Sequence, residues 1–177
     1  MKKNDNLKLN DRGISLIELI IVLAIMAIVG AAAFLSTTVA TDKHVNSCGQ
    51  KIASSLEQTR GLAMGKQGGF VKLSQTAGDY VYLQMYVDGQ PYGDSVAVGR
   101  PGVTVTITRA DGSTSTLSAG GDVYICFDRG NGSVHTHPVY DTGTSSPVVK
   151  IAVSNGRRTM NVNIDKFTGR VETKLQT

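Results

Sequence analysis

From Ile14 to Leu35 the chain runs for 22 residues without a lysine or arginine, and only Ser15, Glu18 and Gly30 break its apolar character. As a helix, such a run spans about 33 Å, the thickness of a bilayer's hydrocarbon core. Lys2, Lys3, Lys8 and Arg12 precede it, and the next cation after it is Lys43. Cytoplasmic flanks carry the excess of lysine and arginine, so the asymmetry predicts a single-pass helix with residues 1–13 inside and everything after Leu35 outside. A secretory signal is the competing reading, because Ala31-Ala32-Ala33 imitates its cleavage site, but such a signal would not hold Glu18 within its apolar stretch. An ionised carboxylate there costs about 2.5–3.5 kcal/mol even on the lenient insertion scales. It either snorkels to the headgroups, helped by the helix N-terminus, or meets a cation.

The residues around Glu18 carry a resemblance. A short basic leader ending in Arg12-Gly13, an apolar run opening on Ile14, and a glutamate at the fifth place after the glycine resemble a type IV prepilin over residues 8–35. Ile14-Ser15 stands where Phe-Thr is commonest in that family, and the proline that many members have near Leu35 is absent. The resemblance implies that a membrane-embedded prepilin peptidase cuts between Gly13 and Ile14 on the cytoplasmic side and methylates the new amine of Ile14, keeping the helix. Glu18 of one subunit then pairs with the amine of a neighbour. In a low-dielectric surrounding either charge alone is expensive, so the pair sets axial register, while Ala24, Ala27, Gly30 and Ala31-Ala33 allow close helix packing.

Beyond the run, Val45, Cys48, Ile52, Leu56, Thr59 and Ala63 recur at spacings of three and four, which predicts that the helix continues to about residue 66 with one packing face. After Gly68-Gly69 the period becomes two. Val81-Leu83-Met85-Val87, Val103-Val105-Ile107, Val123-Ile125-Phe127 and Met160-Val162-Ile164 each alternate with more polar neighbours, as half-buried strands do. Asp88-Gly89, Asp111-Gly112, Asn131-Gly132 and Asn155-Gly156 are turn dipeptides, and the second and fourth separate strands closely enough for hairpins. Twenty glycines against four prolines suit eight to ten short antiparallel strands. The expected class is α+β, a long N-terminal helix packed on a β head. Its divisions are a leader at 1–13, a transmembrane and assembly helix at 14–35, an amphipathic half at 36–68 and the head at 69–177.

Within the head, Val123-Tyr124-Ile125-Cys126-Phe127-Asp128-Arg129-Gly130-Asn131-Gly132 and Val162-Asn163-Ile164-Asp165-Lys166-Phe167-Thr168-Gly169-Arg170-Val171 resemble the GspH/FimT family of minor pilins and pseudopilins. So does Leu56-Glu57-Gln58-Thr59-Arg60-Gly61-Leu62-Ala63 at the helix end. The resemblance implies a two-sheet head in a low-abundance subunit of a type IV pilus or type II secretion pseudopilus. Its partners would be other pilin or pseudopilin subunits, prepilin peptidase, the inner-membrane assembly platform and, before assembly, membrane lipid. The head would end up in a periplasmic or cell-surface filament.

Other chemistry is sparse. Cys48 and Cys126 are the only cysteines, and outside the membrane either a disulfide or two buried thiols is open, although Cys126 alternates away from Val123, Ile125 and Phe127. His135 and His137 supply too few ligands for a metal, and Asp128-Arg129-Gly130-Asn131-Gly132 lacks the alternating oxygens of a calcium loop. No nucleophile–base set, phosphate loop or carboxylate pair emerges, so neither an enzyme nor a cofactor is expected. Family members that serve natural transformation carry Gly-Arg-x-Arg, whereas here Glu172 follows Gly169-Arg170-Val171. Arg157, Arg158, Arg170 and Lys174 could form a basic rim for weak DNA contact, but residues 36–177 hold 14 basic against 11 acidic residues, which argues against DNA as the partner. A DNA-binding pilin and a membrane-anchored β-domain that never polymerises remain the rival readings.

Overall fold

The structure, a computed structural model, describes residues 15–65, 68–140 and 146–176, and the side chains of these residues except 32–41. Two compact units divide the chain, Met1–Thr38 and Val39–Thr177. One helix, α1 (Leu16–Gly65), has residues in both. It begins at a side-chain cap: Ser15 Oγ accepts the main-chain N–H of Glu18 at 3.2 Å, and Glu18 puts a carboxylate in the first turn.

Among the described residues of the first unit, α1 is apolar all round and wholly exposed. Eleven large hydrophobic side chains between Leu16 and Val29 are 47–78% accessible. A helix of that composition is not stable in water by itself; it requires lipid or other helices around it. Among the described residues no helix is long and apolar enough to cross a membrane. The expected 22-residue run extends beyond them at both ends, since residue 14 and the side chains of 32–35 fall outside the description.

In the second unit the predicted helix face is the buried one. Val45, Cys48, Ile52, Leu56, Thr59 and Ala63 are all fully inaccessible, and the Thr59 hydroxyl is satisfied by donating to the Ser55 carbonyl at 2.7 Å. Gly49 lies on the same side because Met160 packs directly onto it, where a Cβ would collide with the methionine side chain.

Among the described residues ten strands follow: β1 (Gly69–Gln75), β2 (Val81–Val87), β3 (Gln90–Gly99), β4 (Thr104–Arg109), β5 (Thr114–Thr116), β6 (Asp122–Phe127), β7 (Val134–His135), β8 (Val148–Ser154), β9 (Thr159–Ile164) and β10 (Val171–Gln176). They form two five-stranded antiparallel sheets, ordered β3-β2-β1-β6-β7 and β10-β9-β8-β4-β5. The fold is α+β, with one core cluster shared by the helix face and the inner faces of both sheets. All four turn dipeptides join hydrogen-bonded neighbours, including Asp88-Gly89, where only two residues link β2 to β3.

The strands lie along the helix. The β8–β9 turn meets α1 near its residue 42, where Asp42 accepts from Asn155 Nδ2 at 2.9 Å and faces Arg158 Nε at 3.3 Å. The β9–β10 turn meets α1 eighteen residues later, where Arg60 Nε donates to the Thr168 carbonyl at 2.7 Å. That helical distance, about 27 Å, matches the reach of one hairpin arm.

Candidate assembly site

The site proposed from sequence begins at Gly13 and Ile14, which lie outside the described residues. Glu18 is described, and its position is set locally: the Ser15 cap fixes the first turn, so the carboxylate emerges at the helix start among exposed Leu16, Ile17, Leu19 and Ile20. The Ser15-Leu16-Ile17-Glu18 spacing is a capping signature, masked in the sequence by the apolar run around it and by the charge of Glu18. A carboxylate here is favoured by the helix N-terminus even with no partner subunit.

At the far end of α1 two turns of the same construction meet. Asp128 Oδ1 accepts the N–H groups of Gly130 (2.7 Å) and Asn131 (3.3 Å), and Gly132 N–H closes on the Asp128 carbonyl at 3.0 Å. Likewise, Asp165 Oδ1 accepts from the N–H groups of Phe167 (3.1 Å) and Thr168 (2.8 Å) and from the Thr168 hydroxyl (2.8 Å), while Gly169 N–H closes on the Asp165 carbonyl at 2.7 Å. Hydrogen bonds from the Thr168 hydroxyl and N–H hold the Asp165 carboxyl below the usual carboxylate range. That contribution to the turn is present above the ordinary carboxylate pKa and disappears as acid protonates the group. The two turns are stitched together by Val134 N–H donating to the Lys166 carbonyl at 3.0 Å. The segments that resembled a pilin family from sequence are thus the matched turns that hold the helix end. Asp128 is spent on its own loop amides.

The candidate DNA residues are separated. Arg157 and Arg158 sit at the β8–β9 turn, with Arg158 committed to Asp42, whereas Arg170 lies beyond the other end of β9, 3.8 Å from Glu172. Lys174 projects from β10 on the outer face, in the row of Asn161. One strand length, about 20 Å, lies between the two arginine groups.

Cys48 and Cys126 are both buried thiols and are not joined, so the disulfide that the sequence left open is not formed. Cys48 belongs to the core cluster, beside Gly99 of β3, while Cys126 is on the outer face of its sheet, in the cross-strand row of Phe70 and His135. The alternation of β6 had pointed to that divergence. Burial pushes the Cys48 thiol up to about 12 from its ordinary 9.0. The folded state therefore holds this proton more tightly than the unfolded chain does. Its contribution to stability is intact below about pH 9 and declines as pH rises toward 12. We expect Cys48 to resist iodoacetamide at pH 8 in the native protein and to react fully in denaturant, read by peptide mass spectrometry.

The outer face that Cys126 shares with Phe70 carries an aromatic layer. Phe70 stacks on Tyr86 at 4.5 Å, Tyr124 stacks on Tyr140 at 4.7 Å, and the His137 ring sits 4.6 Å from both Phe70 and Tyr140. His137 Nδ1 accepts the N–H groups of Val139 and Tyr140, each at 3.2 Å, which curls residues 137–140 over the sheet. Nδ1 of His135 lies 2.9 Å from the Thr136 carbonyl. Both imidazoles are thus engaged with the main chain of their own segment.

Compared with known proteins, residues 8–34 match the prokaryotic N-terminal methylation motif. This is a type IV prepilin-like segment, and it supports a type IV pilin-like protein. A motif of this kind implies processing by a prepilin peptidase and assembly with other pilin-like subunits. No curated protein and no solved structure matches the chain.

Proposed function

We propose that this protein is a minor pilin or pseudopilin, a non-enzymatic subunit assembled through its N-terminal helix into a type IV pilus or type II secretion pseudopilus. The carrying observation is the start of α1. There the carboxylate of Glu18, in a first turn capped by Ser15, stands at the head of an exposed and otherwise apolar helix, inside the segment that matches the methylation motif. In this reading, residues 14–35 anchor the newly made chain in the cytoplasmic membrane and later pack in the filament core, with the β head outside. Cleavage after Gly13 exposes a cationic amine at Ile14, and Glu18 of a neighbour neutralises it. Unpaired, either charge would cost several kcal/mol in such a surrounding.

Intact-mass measurement of the membrane-extracted protein tests the first step. Loss of residues 1–13, with or without one added methyl, is expected; a chain beginning after Ala33 would reject the reading. Glu18→Ala tests the second step. Leaving the neighbour's amine buried and unpaired costs about 3–5 kcal/mol, so in competition with wild type the variant should enter sheared filaments at least about tenfold less efficiently. Membrane insertion should be unimpaired. Equal incorporation would remove the register role of Glu18, and absence of the protein from any filament would favour an anchored domain that does not polymerise.

A further inference from the structure

The four edges of the two sheets are not alike. β7 and β5 are two and three residues long, and β3 pairs with β2 through two irregularities. β10 pairs with β9 over six residues without interruption and, among the described residues, has no strand on its other side. A long, regular, uncovered edge is a template for another strand unless something guards it.

The direction in which this edge presents its hydrogen-bonding groups follows from two bonds. Asp165 N–H donates to the Arg170 carbonyl, and Asn155 N–H donates to the Arg158 carbonyl, which fixes the ladder phase on both sides of β9. Antiparallel pairs alternate between bonded and non-bonded positions, so residues 172, 174 and 176 turn their main-chain groups toward β9. Val171, Thr173 and Leu175 therefore turn theirs outward.

We propose that this edge is self-complementary and that its occupant is a second copy of the chain, the two β10 strands pairing antiparallel about Thr173. In that register the outward groups of Val171, Thr173 and Leu175 face those of Leu175, Thr173 and Val171 of the second copy. The same register sets Glu172 opposite Lys174, twice, at the non-bonded positions where side chains approach most closely. Both side chains are on the exposed outer face, and Glu172 is 70% accessible. Charges of one sign would have kept two copies apart; the alternating signs here attract in this register. On the inner face Leu175, 41% exposed, gains Val171 of the second copy as a cross-strand neighbour. A groove of about 300 Å³ between β10 and α1, lined by Ala53, Ser54 and Glu57 among others, leaves room for the added strand's inward side chains.

The two-fold axis has a further requirement. β10 runs opposite to α1, because the β9–β10 turn lies at Arg60 and the strand heads back toward Gly49 and Met160. Pairing about Thr173 thus joins heads whose helices point in opposite directions. It is a lateral contact between oppositely directed copies, distinct from the packing of N-terminal helices, and its failure would leave the pilin reading untouched.

The test is the molecular mass of the full chain in detergent, by light scattering and sedimentation, for wild type, Glu172→Lys, Lys174→Glu and the double reversal. Wild type is expected to be dimeric, each single reversal to weaken the dimer about tenfold or more, and the double reversal to restore it. Thr173→Pro removes an outward N–H without touching the β9 ladder and is expected to leave a monomer. Association through the apolar helices would be indifferent to all four changes. A wild type that is monomeric, single reversals that stay dimeric, or a double reversal that fails to recover would each overturn the proposal.

Discussion

Gly169→Ala is expected to lose about 3–5 kcal/mol of head stability, the sum of an overpacking cost and a left-handed backbone cost. A methyl at this position runs into the carbonyl oxygen of Gly132, and the backbone at 169 has φ +65°. Neither party can yield cheaply, because both glycines close turns whose aspartates are already bonded inside them. Gly132→Ala is the informative companion. Its φ is +71°, so the backbone cost is the same, but its new methyl would meet side-chain atoms of Arg60 and Met64 rather than main chain, at the expense of straining the Arg60–Thr168 hydrogen bond. That variant should lose about 1–2 kcal/mol. For a chain of this size the difference corresponds to roughly 5–10 °C in melting temperature. Equal losses would show that the turns separate easily and that their contact is incidental.

Leu56→Ala should cost about 3–4 kcal/mol, in the range of fully buried leucines whose surroundings cannot collapse. Leu56 is wholly inaccessible and belongs to the cluster that the helix shares with both sheets, so the cavity would be walled by elements pinned at both ends of the helix segment. Glu57→Ala, one residue on and facing solvent, should change stability by no more than about 0.5 kcal/mol. Thermal unfolding of the detergent-solubilised full chain separates the two. A small loss at Leu56 would mean that the helix is not the centre of the head's core.

The helix was legible because its signal is a repeat of large apolar side chains at three and four. All six residues read from that repeat, Val45 through Ala63, are completely buried. Strands β2, β4, β6 and β9 were legible for the same reason at a period of two. β1 was passed over because it opens on Gly68-Gly69, which reads as a stop, although Val71 and Leu73 are fully buried. β8 contains Val148-Val149 and Ile151-Ala152-Val153, a nearly continuous apolar run that alternation does not pick out. The residues that position the functional surfaces were harder still. Asp42 and Asn155 are 113 positions apart, and Arg60 and Thr168 are 108 apart. No local pattern announces such pairs, because their meeting depends on where ten strands place two turns. The turns at residues 128–132 and 165–169 show no sign in the sequence that they meet each other and Arg60, since those contacts too are set by the strands between them.

The alignment of the strands with α1 also fixes how the head would respond to mechanical force. A pull transmitted along the helix axis acts along the strands rather than across them. The hydrogen bonds of each ladder are then sheared together instead of being opened one after another from an end. The β8–β9 turn, held by Asp42 to Asn155 and Arg158, is where tension entering from residue 42 is first shared with a sheet. The paired turns at Arg60 are where the helix would have to let go last. Such a head is strong in the direction of its helix and comparatively weak to sideways peeling.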